Sequence, residues 1–224
     1  MTHPREKPDY GMGRTAYTAL VGVLLAGAVI ILVINLLSDR ESGTVGLGEI
    51  GIGERVKPFA VPEARSELEG DANVDPDRAC QVEEEGAIRI CDYFGEPLIM
   101  YFWFTRGASE CIDQHGVFDR VARRFEGRVG ALSINVRDDR DRVRELIAKR
   151  DWSVTVGHDR DGAVSNLYRV GGCPTFLFID SDGRLLRAEV GRTTYQRLSA
   201  QVRSFLNGTG KDGTRKEKEG PPGR

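Results

Sequence analysis

Four cysteines carry the reactive chemistry of this sequence: Cys80, Cys91, Cys111 and Cys173. Cys111 closes the run Met100-Tyr-Phe-Trp-Phe-Thr-Arg-Gly-Ala-Ser-Glu-Cys111, where a continuous apolar segment gives way to a helical pattern. That places Cys111 in the first turn of a helix, with Ser109 as its N-cap. Free N–H groups and the helix dipole stabilise a thiolate at such a position. Arg106 adds to this, while Glu110 opposes it. His115 lies four residues further on, on the same helix face. It could act as a base or proton partner, or simply face solvent or a neighbouring strand. Cys173 directly precedes Pro174. Cys80 and Cys91 flank Gln-Val-Glu-Glu-Glu-Gly-Ala-Ile-Arg-Ile, and a turn at Glu85-Gly86 would set them opposite each other in a hairpin. A structural disulfide is the favoured reading of that pair. The alternative is that it supplies redox activity itself.

The elements that must position these residues alternate in period. Pro97 to Phe104 is a continuous apolar run, as in a strand buried on both faces. Ile112, Val117, Phe118, Val121, Ala122 and Phe125 recur at helical spacing. Val129 to Val136 reads as a second buried strand and Asp138 to Arg150 as a charged amphipathic helix. Ser153 to Val156 reads as a short strand and Gly162 to Tyr168 as a short helix. Phe176 to Ile179 and Leu185 to Val190 are joined by Ser181-Asp-Gly183, a hairpin turn. Thr193 to Leu206 closes as a helix with Leu198, Val202 and Phe205 on one face. The order is βαβαβ, then αββα, which predicts a mixed central sheet covered by helices.

Outside this region the 224-residue chain changes character. Residues 16–37 form an apolar stretch with no charge, long enough to span a bilayer as a helix. Arg5, Lys7 and Arg14 precede it and only Arg40 follows closely, which predicts a cytoplasmic N-terminus and an extracytoplasmic domain. A cleaved signal peptide would show a shorter apolar core and a small-residue cleavage site, and neither is present. Residues 1–15 are the cytoplasmic end, 38–52 read as a Gly-rich linker, 53–206 as one α/β domain, and 207–224 as a disordered tail. Asn207-Gly-Thr matches a glycosylation sequon. Outside the cytoplasm disulfides persist, and four cysteines allow three pairings. The net charge of −2 leaves no nucleic-acid footprint.

The domain resembles the thioredoxin superfamily, and within it the membrane-anchored TlpA/ResA-like and AhpC/TSA-like branch. Gly53 to Pro62 is similar to the segment that leads into the first strands. Gly95-Glu-Pro-Leu-Ile-Met-Tyr-Phe-Trp103 is similar to the central strand. Tyr168 to Asp180, with Asp182-Gly183, is similar to the cis-proline loop and terminal hairpin. The resemblance implies a thioredoxin-like fold, and it also marks departures. Ala108 stands where the exposed cysteine of Cys-x-x-Cys would be. Arg106 stands near the usual active-site tryptophan, and Tyr101 where many thioredoxins hold a buried acid. One residue is inserted in the turn.

The resemblance also places Cys173, before the cis-proline, opposite the helix N-terminus and so near Cys111. The two then form a redox pair, a stable structural disulfide, or separate thiols; pairing needs Cα atoms within roughly 7 Å. The implied activity is thiol–disulfide exchange, with Cys111 attacking and protein thiols or disulfides outside the cytoplasm as partners. No cofactor or metal is implied. The alternative from another class is a non-catalytic binding module that keeps the groove beside Pro174. Burial of Cys111 among apolar groups would favour that module. A peroxiredoxin-like peroxidase would need a Pro and a Thr where Phe104 and Ala108 stand, and an arginine where Pro174 stands. A copper chaperone would draw on Cys111, Cys173 and either His115 or His158, in no recognised ligand spacing.

Overall fold

The structure is a computed structural model that describes residues 17, 19–30, 51–106 and 109–218, with side chains through residue 209. The chain divides into two compact units, Met1–Gly43 and Thr44–Arg224. In the first, residues 19–30 are helical. Among the described residues no helix is long and apolar enough to cross a membrane. Residues 16, 18 and 31–37 of the expected span, the cytoplasmic end and most of the linker lie outside the described residues.

The second unit is built on a five-stranded sheet. Strands β3 (Leu98–Trp103), β4 (Gly130–Val136) and β5 (Thr155–Asp159) run parallel, β6 (Thr175–Ile179) pairs antiparallel with β3, and β7 (Leu185–Val190) pairs antiparallel with β6. The spatial order is β5-β4-β3-β6-β7, so β3 is central. Every residue of β3 is buried because both faces are covered. Alternate side chains serve opposite faces. Ile99, Tyr101 and Trp103 pack with helices α1 (Ser109–Arg124) and α4 (Tyr195–Lys218) and with Val143 and Ile147 of α2 (Arg140–Arg150). Leu98, Met100 and Phe102 pack with Val164 of α3 (Ala163–Leu167), with Tyr168, and with the leading segment. Each of these large apolar side chains contributes about 1.5–3 kcal/mol by burial.

The leading segment forms strand β1 (Ala60–Pro62), which pairs antiparallel with β2 (Ala87–Arg89). This overturns the hairpin expected around Glu85-Gly86. Phe59, Val61, Ile88 and Ile90 are all buried in one cluster, so β2 gains more by pairing with β1 than by folding on its own neighbour. Gly86 still turns, at φ +85°, and its carbonyl accepts from the backbone N–H of Glu63. Cys80 and Cys91 sit in two short 3-10 turns, Ala79–Gln81 and Ile90–Tyr93, and are joined by a disulfide with Cα atoms 5.7 Å apart.

Beyond β1 the segment crosses the outer edge of β5. Glu63 bridges Gly157, and the N–H of Ala64 donates to the carbonyl of Val156 at 2.7 Å. Arg140 and Arg144 of α2 donate to the carbonyls of Glu63, Ala64, Ser66 and Leu68, fixing that path. A side chain at Gly157 would meet Val61 Cγ2 at 2.6 Å, so glycine is needed for the approach.

Two boundaries differ from the sequence-based expectations. The strand expected at 153–156 is Thr155–Asp159 instead. The N–H groups of Ser153 and Val154 are taken by the Asp119 carboxylate of α1, at 2.6 and 3.0 Å, and not by a strand. The tail expected to be disordered from Asn207 continues α4 to Lys218. Extending a helix already nucleated by the packed turns of Leu198, Val202 and Phe205 costs far less than starting one. Thr209 Oγ1 also donates back to the Phe205 and Leu206 carbonyls. Residues 219–224 lie outside the described residues.

Candidate functional site

Strand β3 ends at Trp103 and α1 starts at Ser109, so the intervening turn delivers Cys111 into the first helical turn. Ser109 is the first residue of the helix; Gly107 and Ala108 lie outside the described residues. Thr105 anchors the turn. Its N–H and hydroxyl donate to the two oxygens of the buried Asp138, at 2.6 and 2.9 Å. Asn135 holds the same carboxylate at 2.8 Å, and the Asp138 carbonyl contacts His158 Nε2 at 3.0 Å. Sequence reasoning placed Asp138 only at the start of a charged helix. Its burial against Thr105 and Asn135 carries no pattern of its own.

On the facing side, Cys173–Pro174 is a cis peptide. The Pro174 carbonyl accepts from Gly191 N–H at 2.9 Å, and Thr175 Oγ1 donates to the Gly172 carbonyl at 2.8 Å. The loop is therefore tied to the ends of β6 and β7. It brings Cys173 to Cys111: the two form a disulfide with Cα atoms 5.8 Å apart, across 62 residues of sequence. The pair is unequal in access. Cys111 is only 1 % exposed and belongs to the core cluster, whereas Cys173 is half-buried between exposed Gly171 and buried Pro174. An exposed attacking thiol at Cys111 does not fit this burial.

Tyr101 links the two sulfur-bearing residues. Its hydroxyl donates to the Cys111 carbonyl at 2.8 Å and lies 3.7 Å from Cys173 Sγ. It stacks on Phe176, with ring centroids 4.8 Å apart. Burial pushes its phenol pKa well above the ordinary value, so the hydroxyl keeps its proton. The sequence marked Tyr101 only as a replacement for an acid; the two sulfur-side contacts were not legible.

The other auxiliary candidates are engaged elsewhere. The exposed Arg106 guanidinium lies 3.8 Å from Asp138 and donates to the Arg137 carbonyl. Glu110 is paired with Arg192 at 3.0 Å. His115 does not face solvent. It is fully buried, stacked on Trp152 at 3.9 Å, and its Nε2 meets Ser133 Oγ at 2.9 Å. Trp103 Nε1 donates to the same hydroxyl at 2.7 Å. Burial lowers the His115 pKa to about 3, which makes it a poor base at neutral pH. His158 is likewise turned to a backbone carbonyl.

The model of the AhpC/TSA family matches residues 71–188, which spans β2 through most of β7 and includes both disulfides. The chain belongs to the AhpC/TSA family. Within the thioredoxin superfamily it is TlpA/ResA-like. It is similar to the thiol-disulfide oxidoreductase ResA of Oceanobacillus iheyensis, 22% identical over 185 residues, covering 83% of this chain and 85% of that protein. A second relative, ResA of Bacillus cereus, is 20% identical over 194 residues, with 86% and 96% covered. Among solved structures, a Chlorobium tepidum protein assigned as the thiol:disulfide interchange protein DsbE superimposes with a TM-score of 0.57 at 19% identity, covering 70% of this chain and 99% of that one. A DsbF homologue from Corynebacterium diphtheriae gives 0.54 at 15% identity, with 71% and 91% covered. These structural likenesses establish the thioredoxin-like fold.

Proposed function

We propose that this protein is a membrane-anchored, extracytoplasmic thiol–disulfide oxidoreductase that works through the Cys111–Cys173 pair. The observation that carries the reading is the disulfide itself, set between a helix N-terminus and a cis-proline loop, with one partner at the surface. The ResA relatives are named for this activity. The substrates would be protein thiols or disulfides, and Pro174 would border the groove that receives them. No cofactor is needed, because electrons pass between sulfurs alone. The pair supplies from one helical turn and one loop what Cys-x-x-Cys supplies from a single helical turn.

The anchoring part of the proposal rests on residues 16–37 and their charge bias. Within that stretch Leu20, Val23, Leu24, Leu25, Val29 and Ile30 are all exposed. Exposed apolar side chains on a helix suit a lipid environment. A cysteine introduced into the C-terminal tail is expected to react with a membrane-impermeant maleimide in intact cells. Labelling only after lysis would refute the orientation.

A second reading, the non-catalytic binding module, is favoured by the near-complete burial of Cys111. Exchange activity separates the two. The full-length chain, equilibrated in glutathione buffers, is expected to cycle Cys111–Cys173 and to catalyse oxidation or reduction of a peptide cysteine pair. A bond that never opens below denaturing conditions, with no catalysis above buffer, would leave the binding module.

A further inference from the structure

We propose that Cys173, and not Cys111, is the sulfur that exchanges with substrate, with Cys111 as its buried partner and Tyr101 as the residue that positions both. The inference rests on the exchange reading above and assigns roles within it.

Access is the first argument. Exchange requires a thiolate to strike one sulfur of the disulfide directly. Cys111 is walled in: it is 1 % exposed and packed in the core with Tyr101, Phe118 and Phe176. Cys173 lies on a half-exposed loop. An incoming protein thiol can therefore reach only Cys173.

The leaving group is the second argument. When a substrate thiolate attacks Cys173 Sγ, the Cys111–Cys173 bond breaks and Cys111 departs as a thiolate. Exchange runs faster when the departing thiol has the lower pKa. Cys111 occupies the first turn of α1, a 16-residue helix whose free N–H groups favour negative charge. The buried sulfur is thus the better one to expel and the worse one to attack. A second substrate thiolate then attacks the substrate sulfur of the mixed disulfide and expels Cys173. Two substrate thiols become one disulfide and the protein pair becomes a dithiol; the two protons given up by the substrate thiols are taken by the two protein thiolates, so none is released overall. In reverse, a substrate disulfide reoxidises the dithiol through the same Cys173 adduct.

Tyr101 fits this division. In the oxidised state its one hydrogen goes to the Cys111 carbonyl, fixing the first turn of α1, while its oxygen sits 3.7 Å from Cys173 Sγ. When Cys173 becomes a thiolate, that hydroxyl is within reach to donate to it. Tyr101 is a positioning residue that senses which sulfur carries charge.

The test compares full-length Cys111→Ala and Cys173→Ser, in each of which the remaining site cysteine is free while Cys80–Cys91 stays closed. At pH 7, 5,5′-dithiobis(2-nitrobenzoate) is expected to label Cys111→Ala at least about tenfold faster than Cys173→Ser, as access to the thiol dictates. Equal or faster labelling of Cys173→Ser overturns the assignment. Unmodified oxidised protein serves as the check against misfolded variants. After brief exposure to reduced glutathione and acid quenching, peptide mapping should find glutathione on Cys173. Glutathione on Cys111 with exchange intact overturns the assignment and leaves the oxidoreductase standing. No adduct on either sulfur, with no exchange, overturns both. For Tyr101→Phe, the pH at which Cys173 is half-labelled should rise in the Cys111→Ala background; an unchanged midpoint removes Tyr101 from the proposal.

Discussion

Opening the Cys111–Cys173 bond is expected to lower the stability of the folded domain by about 4 kcal/mol. The bond closes a loop of 62 residues, and in the chain-entropy account the loss of unfolded-state freedom at that length is of this size. The Cys80–Cys91 bond spans 11 residues and should contribute nearer 3 kcal/mol. Urea unfolding of Cys173→Ser against the unmodified chain, both without reductant so that Cys80–Cys91 stays intact, measures the first value. A difference below about 1 kcal/mol would show that the unfolded chain already holds these segments together. The coupling is reciprocal. What the bond adds to folding, folding adds to the bond, and about 4 kcal/mol corresponds to a potential about 90 mV lower than that of the unfolded dithiol. The folded pair should therefore need a more reducing glutathione buffer to open than the same two cysteines do in the unfolded chain.

Stability is also expected to fall by about 2 kcal/mol between pH 7 and pH 5, through His115 alone. Burial is the dominant cause of its lowered pKa, near 3, against an ordinary value of 6.5. In the folded protein the ring stays neutral through this range, whereas in the unfolded chain it binds a proton as pH drops below about 6.5. The unfolded state then holds more protons, so stability is full above 6.5 and is lost progressively toward 3. Replacing His115 by Phe removes the titration while keeping an aromatic ring against Trp152. Denaturant unfolding at the two pH values should show the drop in the parent and a flatter profile in His115→Phe. Equal pH dependence in both would place the titrating group elsewhere.

Much of the fold was legible because its signals are local or strictly periodic. The unbroken apolar run of β3 and the 3.6-residue recurrence in α1 can come from little else. Ser181-Asp-Gly183 announced the β6–β7 turn, and Gly183 indeed takes φ +76°. What failed depended on partners distant in sequence. Nothing near Ala87–Arg89 says that its partner is Ala60–Pro62, and nothing near Ser153 says that Asp119 claims its N–H. At the site, the likeness of Cys173-Pro174 to a cis-proline loop already points to Cys111. The burial of one sulfur and not the other, and the bridging hydroxyl of Tyr101, emerge only when β3, α1 and the loop before β6 are packed together. His115 shows the same limit. A helical position reveals which face a residue shares, and not that two tryptophans and a serine wait there.

The leading segment laid across β5 also decides how this sheet meets other chains. An open strand edge offers unpaired N–H and C=O groups to any extended peptide, and so invites edge-to-edge aggregation. On the β5 side that invitation is withdrawn, since Glu63 and Ala64 already occupy the edge and two arginines pin them there. The β7 side carries Arg187 and Glu189, paired with each other at 2.6 Å. An added strand would have to lie against these charges. The domain thus guards its two edges by different means, one by occupation and one by charge.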